Sequence, residues 1–210
     1  MDTLTHAQWI DSQAHEAGFW RRQLATGNEE QFHRFGWYRD VVFPGYLPDN
    51  SLAGLDCVDL GSGPAGILTN YPLASRRVQV DPLFGAEAWP HPDGVECVAA
   101  MCEATGLPAG SFDLAFCLNM LDHTERPAEV LVEAARLLRP WGTLMLCVDM
   151  RPLKLLDQFH KLQVTEASAM SWLEAAGFSY RHWLVPHQAG NPTVQFCAMA
   201  MRQTPLARYC

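Results

Sequence analysis

No stretch of this chain approaches the roughly 18 apolar residues that a membrane span needs, so no such span is expected. No Lys/Arg run stands out either. Fifteen basic residues face 23 acidic ones, for a net charge of −8. A basic stripe that could track a phosphate backbone is therefore missing, which argues against nucleic acid as a partner. The acidic balance also suits an anionic membrane surface poorly. The chain has no Cys-x-x-Cys, and its seven cysteines (Cys57, Cys97, Cys102, Cys117, Cys147, Cys197 and Cys210) match no zinc spacing, so no metal is expected. Their count is odd. Several stand in apolar, strand-like runs, where Cys behaves as a small buried hydrophobe. This usage points to a reducing cytoplasm. The polar, acidic start (MDTLTHAQWIDSQ) is not that of a signal peptide. Internal repeats and low-complexity tracts are absent.

What is present is an ordinary globular composition, 49% hydrophobic and 18% charged over 210 residues. One domain with a short appendage is expected, long enough to bury a core without metal or disulfide. The first fifty residues read as that appendage. Leu4–Leu24 is a helix candidate carrying Trp9, Ile10, Phe19, Trp20 and Leu24, with Gly27 and Asn28 as its stop. An aromatic cluster follows (Phe32, Phe35, Trp37, Tyr38, Phe43, Tyr46), with a turn at Pro44-Gly45. Residues 1–50 are read as a helical and aromatic cap on a main domain spanning 51–210.

From Leu55 the pattern becomes strand, turn, helix, repeated. Strands are expected at Leu55–Leu60, Arg77–Asp81, Val95–Ala100, Phe112–Leu118 and Thr143–Met150, with helices at Ala65–Leu73, Pro127–Leu138 and Ala167–Ala176. Phe178–Val185 and Val194–Met201 stand close together and read as an antiparallel hairpin. The whole is expected to be a Rossmann-like α/β three-layer sandwich with a seven-stranded, mostly parallel sheet.

The most informative stretch is Val58-Asp59-Leu60-Gly61-Ser62-Gly63-Pro64-Ala65-Gly66. It follows a strand and opens a helix, where glycines allow a sharp bend and close approach of a ligand. The Gly-x-Gly-x-x-Gly spacing alone fits a dinucleotide equally well. Pro64, however, removes a backbone donor that a pyrophosphate would use, and Asp59 puts an acid two residues before the first glycine. In Val78-Gln79-Val80-Asp81-Pro82 an acid ends the second strand, roughly 20 residues on, placed to take both hydroxyls of a ribose.

These segments resemble the class I S-adenosylmethionine-dependent methyltransferases, of the small-molecule type, over about Leu55 to Met201. Cys102-Glu103-Ala104-Thr105-Gly106-Leu107-Pro108 with Ser111-Phe112-Asp113 resembles the end of that family's third strand and its loop into the fourth. Phe116–His123, Glu133–Gly142 and Trp172–Phe178 resemble later parts of the same core. Two departures stand out: Ala65 where a further glycine is common, and Asp122-His123 for the common Glu-His pair.

The resemblance implies S-adenosylmethionine as cofactor. Asp59, Gly61, Ser62, Gly63, Asp81, Pro82, Glu103, Ala104 and Asn119 are its expected binding residues. Glu103 would meet the adenine amino group, the Ala104 backbone amide a ring nitrogen, and the Asn119 segment the methionine tail. The expected reaction is in-line methyl transfer to a small-molecule acceptor at oxygen or nitrogen. A base is useful only where the acceptor keeps its proton at neutral pH. Histidines 123 and 160 are the leading candidates, and Asp122, His33 and His187 follow. Trp37 and Tyr38 are candidate acceptor contacts, whereas Trp9, Phe19 and Trp20 read as a hydrophobic clasp. The competing readings are a nucleotide-dependent oxidoreductase and a catalytically silent S-adenosylmethionine-binding subunit. Thiol or arsenite methylation finds little support, since strand burial accounts for Cys57, Cys117 and Cys147. A monomer or homodimer is expected.

Overall fold

The computed structural model describes residues 3–26, 35–87, 89–187 and 191–203. Seven strands form one sheet: β1 (Asp56–Leu60), β2 (Arg76–Val80), β3 (Glu96–Val98), β4 (Phe112–Leu118), β5 (Leu138–Met150), β6 (Phe178–Pro186) and β7 (Val194–Arg202). Their order is β3-β2-β1-β4-β5-β7-β6. The pairs from β3 through β5 are parallel, and β7 runs antiparallel between β5 and β6. The expected α/β sheet and its closing hairpin are therefore both present. The α-helices are α1 (His6–Ala25), α2 (Pro127–Leu137) and α3 (Glu166–Ala175).

One expected helix does not form. Residues 65–73 contain two short 3-10 turns, Gly63–Ala65 and Ile67–Asn70. Gly66 is extended at ψ 161°, and Pro72 disfavours helical geometry at Tyr71. The few residues between cannot repay nucleation of an α-helix.

Alternation along the strands sends side chains to two faces. Val58, Leu60, Ala115, Cys117, Leu144, Leu146, Phe196 and Ala198 pack toward α2 and α3, with Val130, Leu131, Trp172 and Leu173. Cys57, Leu114, Phe116, Met145, Cys147 and Cys197 form the other core. Among the described residues no long helix covers that second face. Val42, Phe43, Leu47 and Leu52 from the N-terminal segment do so, with Ile67, Leu68 and Tyr71. The Tyr71 hydroxyl donates to the Leu47 carbonyl at 2.9 Å, and Trp183 Nε1 donates to the Val42 carbonyl at 2.9 Å. Residues 38–42 form a π-helical turn that presents this apolar edge. Cys57, Cys117, Cys147 and Cys197 are fully buried, as strand hydrophobes should be. Among the described residues no helix is long and apolar enough to cross a membrane.

Candidate active site

The C-terminal ends of β1, β2, β4, β5 and β6 share one edge of the sheet with the start of β7. A cavity of about 700 Å³ opens along that edge. Ligands of open α/β sheets bind in this place because the crossovers there leave a crevice.

The glycine turn leaves β1 with Gly61 at φ 67° and Gly63 at φ 61°, both left-handed. Gly66 has an ordinary φ, but a Cβ there would lie 2.5 Å from both Asp59 Oδ2 and Gln79 Nε2. Asp59 is buried, and its Oδ2 accepts the Ile67 N–H at 3.0 Å. It thus clamps the far end of the turn. Burial raises its pKa to about 7 against the lowering effect of that bond. Ser62 and Gly63 line the cavity, and the Ser62 hydroxyl donates to the Gly63 carbonyl.

Asp81 caps a 3-10 turn, Pro82–Gly85, by accepting the Leu83 N–H on Oδ1 at 2.9 Å. Its Oδ2 accepts the Gly63 N–H at 3.0 Å. Burial pushes its pKa up to about 6. Glu103 Oε1 accepts the N–H groups of Glu125 and Arg126, each at 3.1 Å, at the start of α2. The loop carrying Glu103 is also pinned from the side of α2. Buried Glu133 accepts the Thr105 N–H and hydroxyl at 2.9 and 2.6 Å, while Arg136 donates to the Leu107 carbonyl at 2.7 Å. Asn119 ends β4 at φ 55°, a conformation Asn tolerates. Its N–H donates to the Cys147 carbonyl, and its buried Oδ1 has no hydrogen-bond partner.

Asp59, Gly61, Ser62, Gly63, Asp81, Pro82, Glu103 and Asn119 all line the one cavity. Ala104 does not. It is exposed, and its N–H is already donated to the Met101 carbonyl at 3.1 Å.

His123 and His160 face one another with ring centroids 4.7 Å apart. His123 Nδ1 lies 3.1 Å from Glu16 Oε1 of α1, and its Nε2 lies 3.8 Å from Asp122 Oδ1. Burial acts to lower the His123 pKa, but the charges of Asp122 and Glu16 outweigh it and push it up to about 9. His160 Nδ1 is held by Asp157 at 2.9 Å. Asp122 is buried, which raises its pKa, and neither oxygen makes a hydrogen bond. Asp122, His123 and His160 each present one ligand atom within 4.8 Å of the others. A cation there would have to compete with the His123 proton. His33, Phe32, Gly27 and Asn28 lie outside the described residues.

α1 has a larger part than a clasp would need. Trp9, Gln13, Glu16, Trp20 and Gln23, spaced three or four apart, line the cavity on one helix face. Trp20 sits over the glycine turn, 3.3 Å from where a Cβ on Gly63 would fall. Phe19 lines the cavity as well. Trp37 and Tyr38 line it from the opposite end of the cap.

Sequence reasoning missed Asp149 and Gln195, which are buried opposite one another on β5 and β7 and line the cavity. A polar residue inside each of two apolar strands was the available signal.

A methyltransferase domain model matches residues 58–146, from β1 into β5. That match is to a methyltransferase domain, in keeping with the resemblance the sequence carries. Among the relatives of this chain is a ubiquinone biosynthesis O-methyltransferase of Burkholderia multivorans, 29% identical over 150 residues. That match covers 70% of this chain and 51% of the relative, so the chain spans about half the length of such relatives. The fold is shared with the YcgJ protein of Bacillus subtilis at a TM-score of 0.62 and 14% identity, covering 82% of this chain and 99% of that one. It is also shared with the 1,6-didemethyltoxoflavin-N1-methyltransferase of Burkholderia thailandensis, at a TM-score of 0.58 and 19% identity, covering 90% of each chain.

The residues present fit the family's cofactor. A turn of two left-handed glycines, a carboxylate at the end of β2 and an orphaned buried amide oxygen on Asn119 all face one cavity. Six of the seven cysteines fall in the described residues. All six are free, and burial raises the thiol pKa of Cys57, Cys97, Cys102, Cys117 and Cys147.

Proposed function

We propose that this chain transfers a methyl group from S-adenosylmethionine to a hydroxyl oxygen of a small-molecule acceptor. The observation that carries the reading is the run of Gly61, Gly63, Asp81 and Glu103 along the ends of β1, β2 and β3, beside an aromatic half-cavity at β5–β7 that these residues leave free. The printed names of the relatives, O-methyltransferases, support oxygen as the acceptor atom.

Bound S-adenosylmethionine supplies an electrophilic methyl on a sulfonium sulfur. The protein's part is to bind, orient and exclude water. Asp81 would hold the ribose hydroxyls, and Glu103, fixed against the start of α2, the adenine amino group. Asn119 Oδ1 would accept from the ammonium of the methionine tail. The Gly61–Gly63 turn allows that tail to approach the backbone, with Ser62 and Pro82 flanking it and Asp59 holding the turn. Trp37 and Tyr38 would face the acceptor, and residues 1–50 would act as a cap with α1 over the cavity mouth. His123 enters as a cation fixed between Asp122 and Glu16, since a protonated imidazole has no lone pair with which to take a proton. His160 keeps a place beside it through Asp157.

The test is calorimetric titration of the purified chain with S-adenosylhomocysteine, beside NAD and NADP, followed by turnover of labelled S-adenosylmethionine with hydroxylated acceptors. Micromolar binding of the homocysteine compound alone, with turnover, is expected. Tighter binding of NAD would return the oxidoreductase reading. Binding without turnover on any acceptor would favour the silent subunit.

A further inference from the structure

The cavity holds a second histidine site, on the half that the cofactor elements do not use. Asp149, at the end of β5, is 4% exposed. Its Oδ1 accepts from Gln195 Nε2 at 3.0 Å and stands 3.1 Å from His187 Nε2. Its Oδ2 accepts from Arg151 at 2.8 Å. Gln195 Oε1 in turn accepts from the Trp37 indole at 3.0 Å, and the Trp37 ring stacks on His187 with centroids 6.2 Å apart at 23°. Four side chains from four separate segments thus close a ring: Trp37, Gln195, Asp149, His187.

A buried carboxylate and amide in the middle of a sheet are costly unless each is satisfied. Here each is, and the outcome is one oriented imidazole at the cavity wall. Nothing in the packing calls for it, because the neighbouring pairs of β5 and β7 are apolar: Cys147 with Cys197, and Val148 with Phe196. With Arg151 and Gln195 holding Asp149 as an acceptor, the His187 Nε2 proton points at the carboxylate. In the neutral tautomer that this bond selects, the lone pair is on Nδ1. His123 pairs instead with Glu16 of α1, and His160 with Asp157 of its own loop.

Resting on the methyl-transfer reading, we propose that His187 is the general base of this enzyme, that Asp149 positions it, and that the acceptor it serves is a phenolic hydroxyl lying against Trp37. The acceptor oxygen gives its proton to His187 Nδ1 and forms the new O–CH₃ bond. The sulfonium sulfur keeps the electron pair of the broken S–C bond and leaves as the neutral thioether, and His187 later releases the proton to water. Among the described residues, the charged and titratable groups around the imidazole are Asp149 near the end of β5 and Arg151 just after it, with Asp122 behind them.

The test compares wild type, His187→Ala and Asp149→Asn on two phenols: catechol, which must lose a proton, and 4-nitrocatechol, which is largely ionised at pH 8. His187→Ala should lower kcat/KM on catechol by about 100-fold or more, the usual worth of a positioned base, and on 4-nitrocatechol by less than about 10-fold. A second readout needs no turnover. With S-adenosylhomocysteine bound, the phenolate absorbance of bound 4-nitrocatechol is titrated with pH. Its midpoint should lie below that of the free phenol in wild type and return toward it in His187→Ala. Asp149→Asn should lower kcat on catechol with KM little changed and shift the same midpoint. Calorimetry should show S-adenosylhomocysteine binding unchanged within about 2-fold in His187→Ala. Equal losses on both phenols, no loss on catechol, or an unmoved midpoint would overturn the base assignment. So would a wild type that binds S-adenosylhomocysteine but neither binds nor methylates a phenol. A wild type that fails to bind S-adenosylhomocysteine at all removes the methyl-transfer reading, and the base with it.

Discussion

Asp81 Oδ2 accepts the Gly63 N–H at 3.0 Å, so the end of β2 and the turn after β1 form one hydrogen-bonded unit. A ligand that occupies Asp81 is thereby coupled to the shape of the glycine turn. Asp81→Ala should weaken S-adenosylhomocysteine at least about 10-fold, since hydrogen bonds to a charged group contribute roughly 1.5–3 kcal/mol. Burial raises the Asp81 pKa to about 6. Affinity in wild type should therefore fall as pH drops through about 6, and this dependence should be absent in Asp81→Asn. Calorimetry between pH 5 and 8 checks both.

Asp59 gives a stability prediction with a definite sign. Its folded pKa is raised from 3.8 to about 7, mainly by burial. Between those values the native state binds a proton that the unfolded chain has lost, so stability falls as pH rises through this window. Asp59→Asn retains an oxygen for the Ile67 N–H and removes the buried charge. The variant should match wild type near pH 4 and exceed it above pH 7, by an amount on the order of 3–4 kcal/mol. Urea titrations of the cofactor-free protein at both pH values measure it.

His123 gives the same sign at higher pH, through a stabilised cation instead of a destabilised anion. Its folded pKa is raised from 6.5 to about 9, the charges of Asp122 and Glu16 overcoming burial. The stabilisation is complete below the unfolded pKa and is lost as pH rises through about 9. Thermal melts of wild type should show a Tm decline from pH 7 to pH 10 that His123→Gln lacks. If the two proteins decline in parallel, the α1–His123 ion pair carries no such stability.

Glu133 connects α2 to the loop that bears Glu103. Removing it strands the buried Thr105 N–H and releases Arg136 from its partner. Glu133→Ala should cost about 2–4 kcal/mol of stability by leaving a buried donor unsatisfied. S-adenosylhomocysteine affinity should fall as well, because the loop loses one of its two anchors. Wild-type affinity in a destabilised variant would show that Glu103 is held from the Glu125–Arg126 side alone.

Much of this architecture was legible along the chain. β4 and the closing hairpin follow from apolar runs bounded by turn residues. α2 and α3 follow from helical spacing, closed by Leu138 at the start of β5 and by Gly177. The glycine turn and Asp81 stood out because each depends on residue type and on a short, local spacing. The absent helix after Gly66 shows the limit. Its apolar pattern fitted a helix, but Gly66 and Pro72 left too short a span for one to nucleate. An N-terminal segment covers that face instead, a choice made by packing between residues far apart in sequence.

In the β5–β7 half of the cavity the sequence named Trp37, Tyr38 and His187, and the tertiary structure supplied the contacts that join them. Asp149, His187 and Gln195 become neighbours of Trp37 only because β7 inserts antiparallel between β5 and β6. Likewise the raised pKa of His123 comes from the charge of its neighbour Asp122 and from Glu16, over a hundred residues earlier, once α1 lies across the cavity. The sequence by itself determined the fold class and the glycine turn, because strands, turns and a glycine loop are encoded by neighbours. Only the tertiary structure decided that His123 stands between Asp122 and Glu16 and that His187 stands against Asp149, because the Glu16 and Asp149 contacts join segments far apart in the chain.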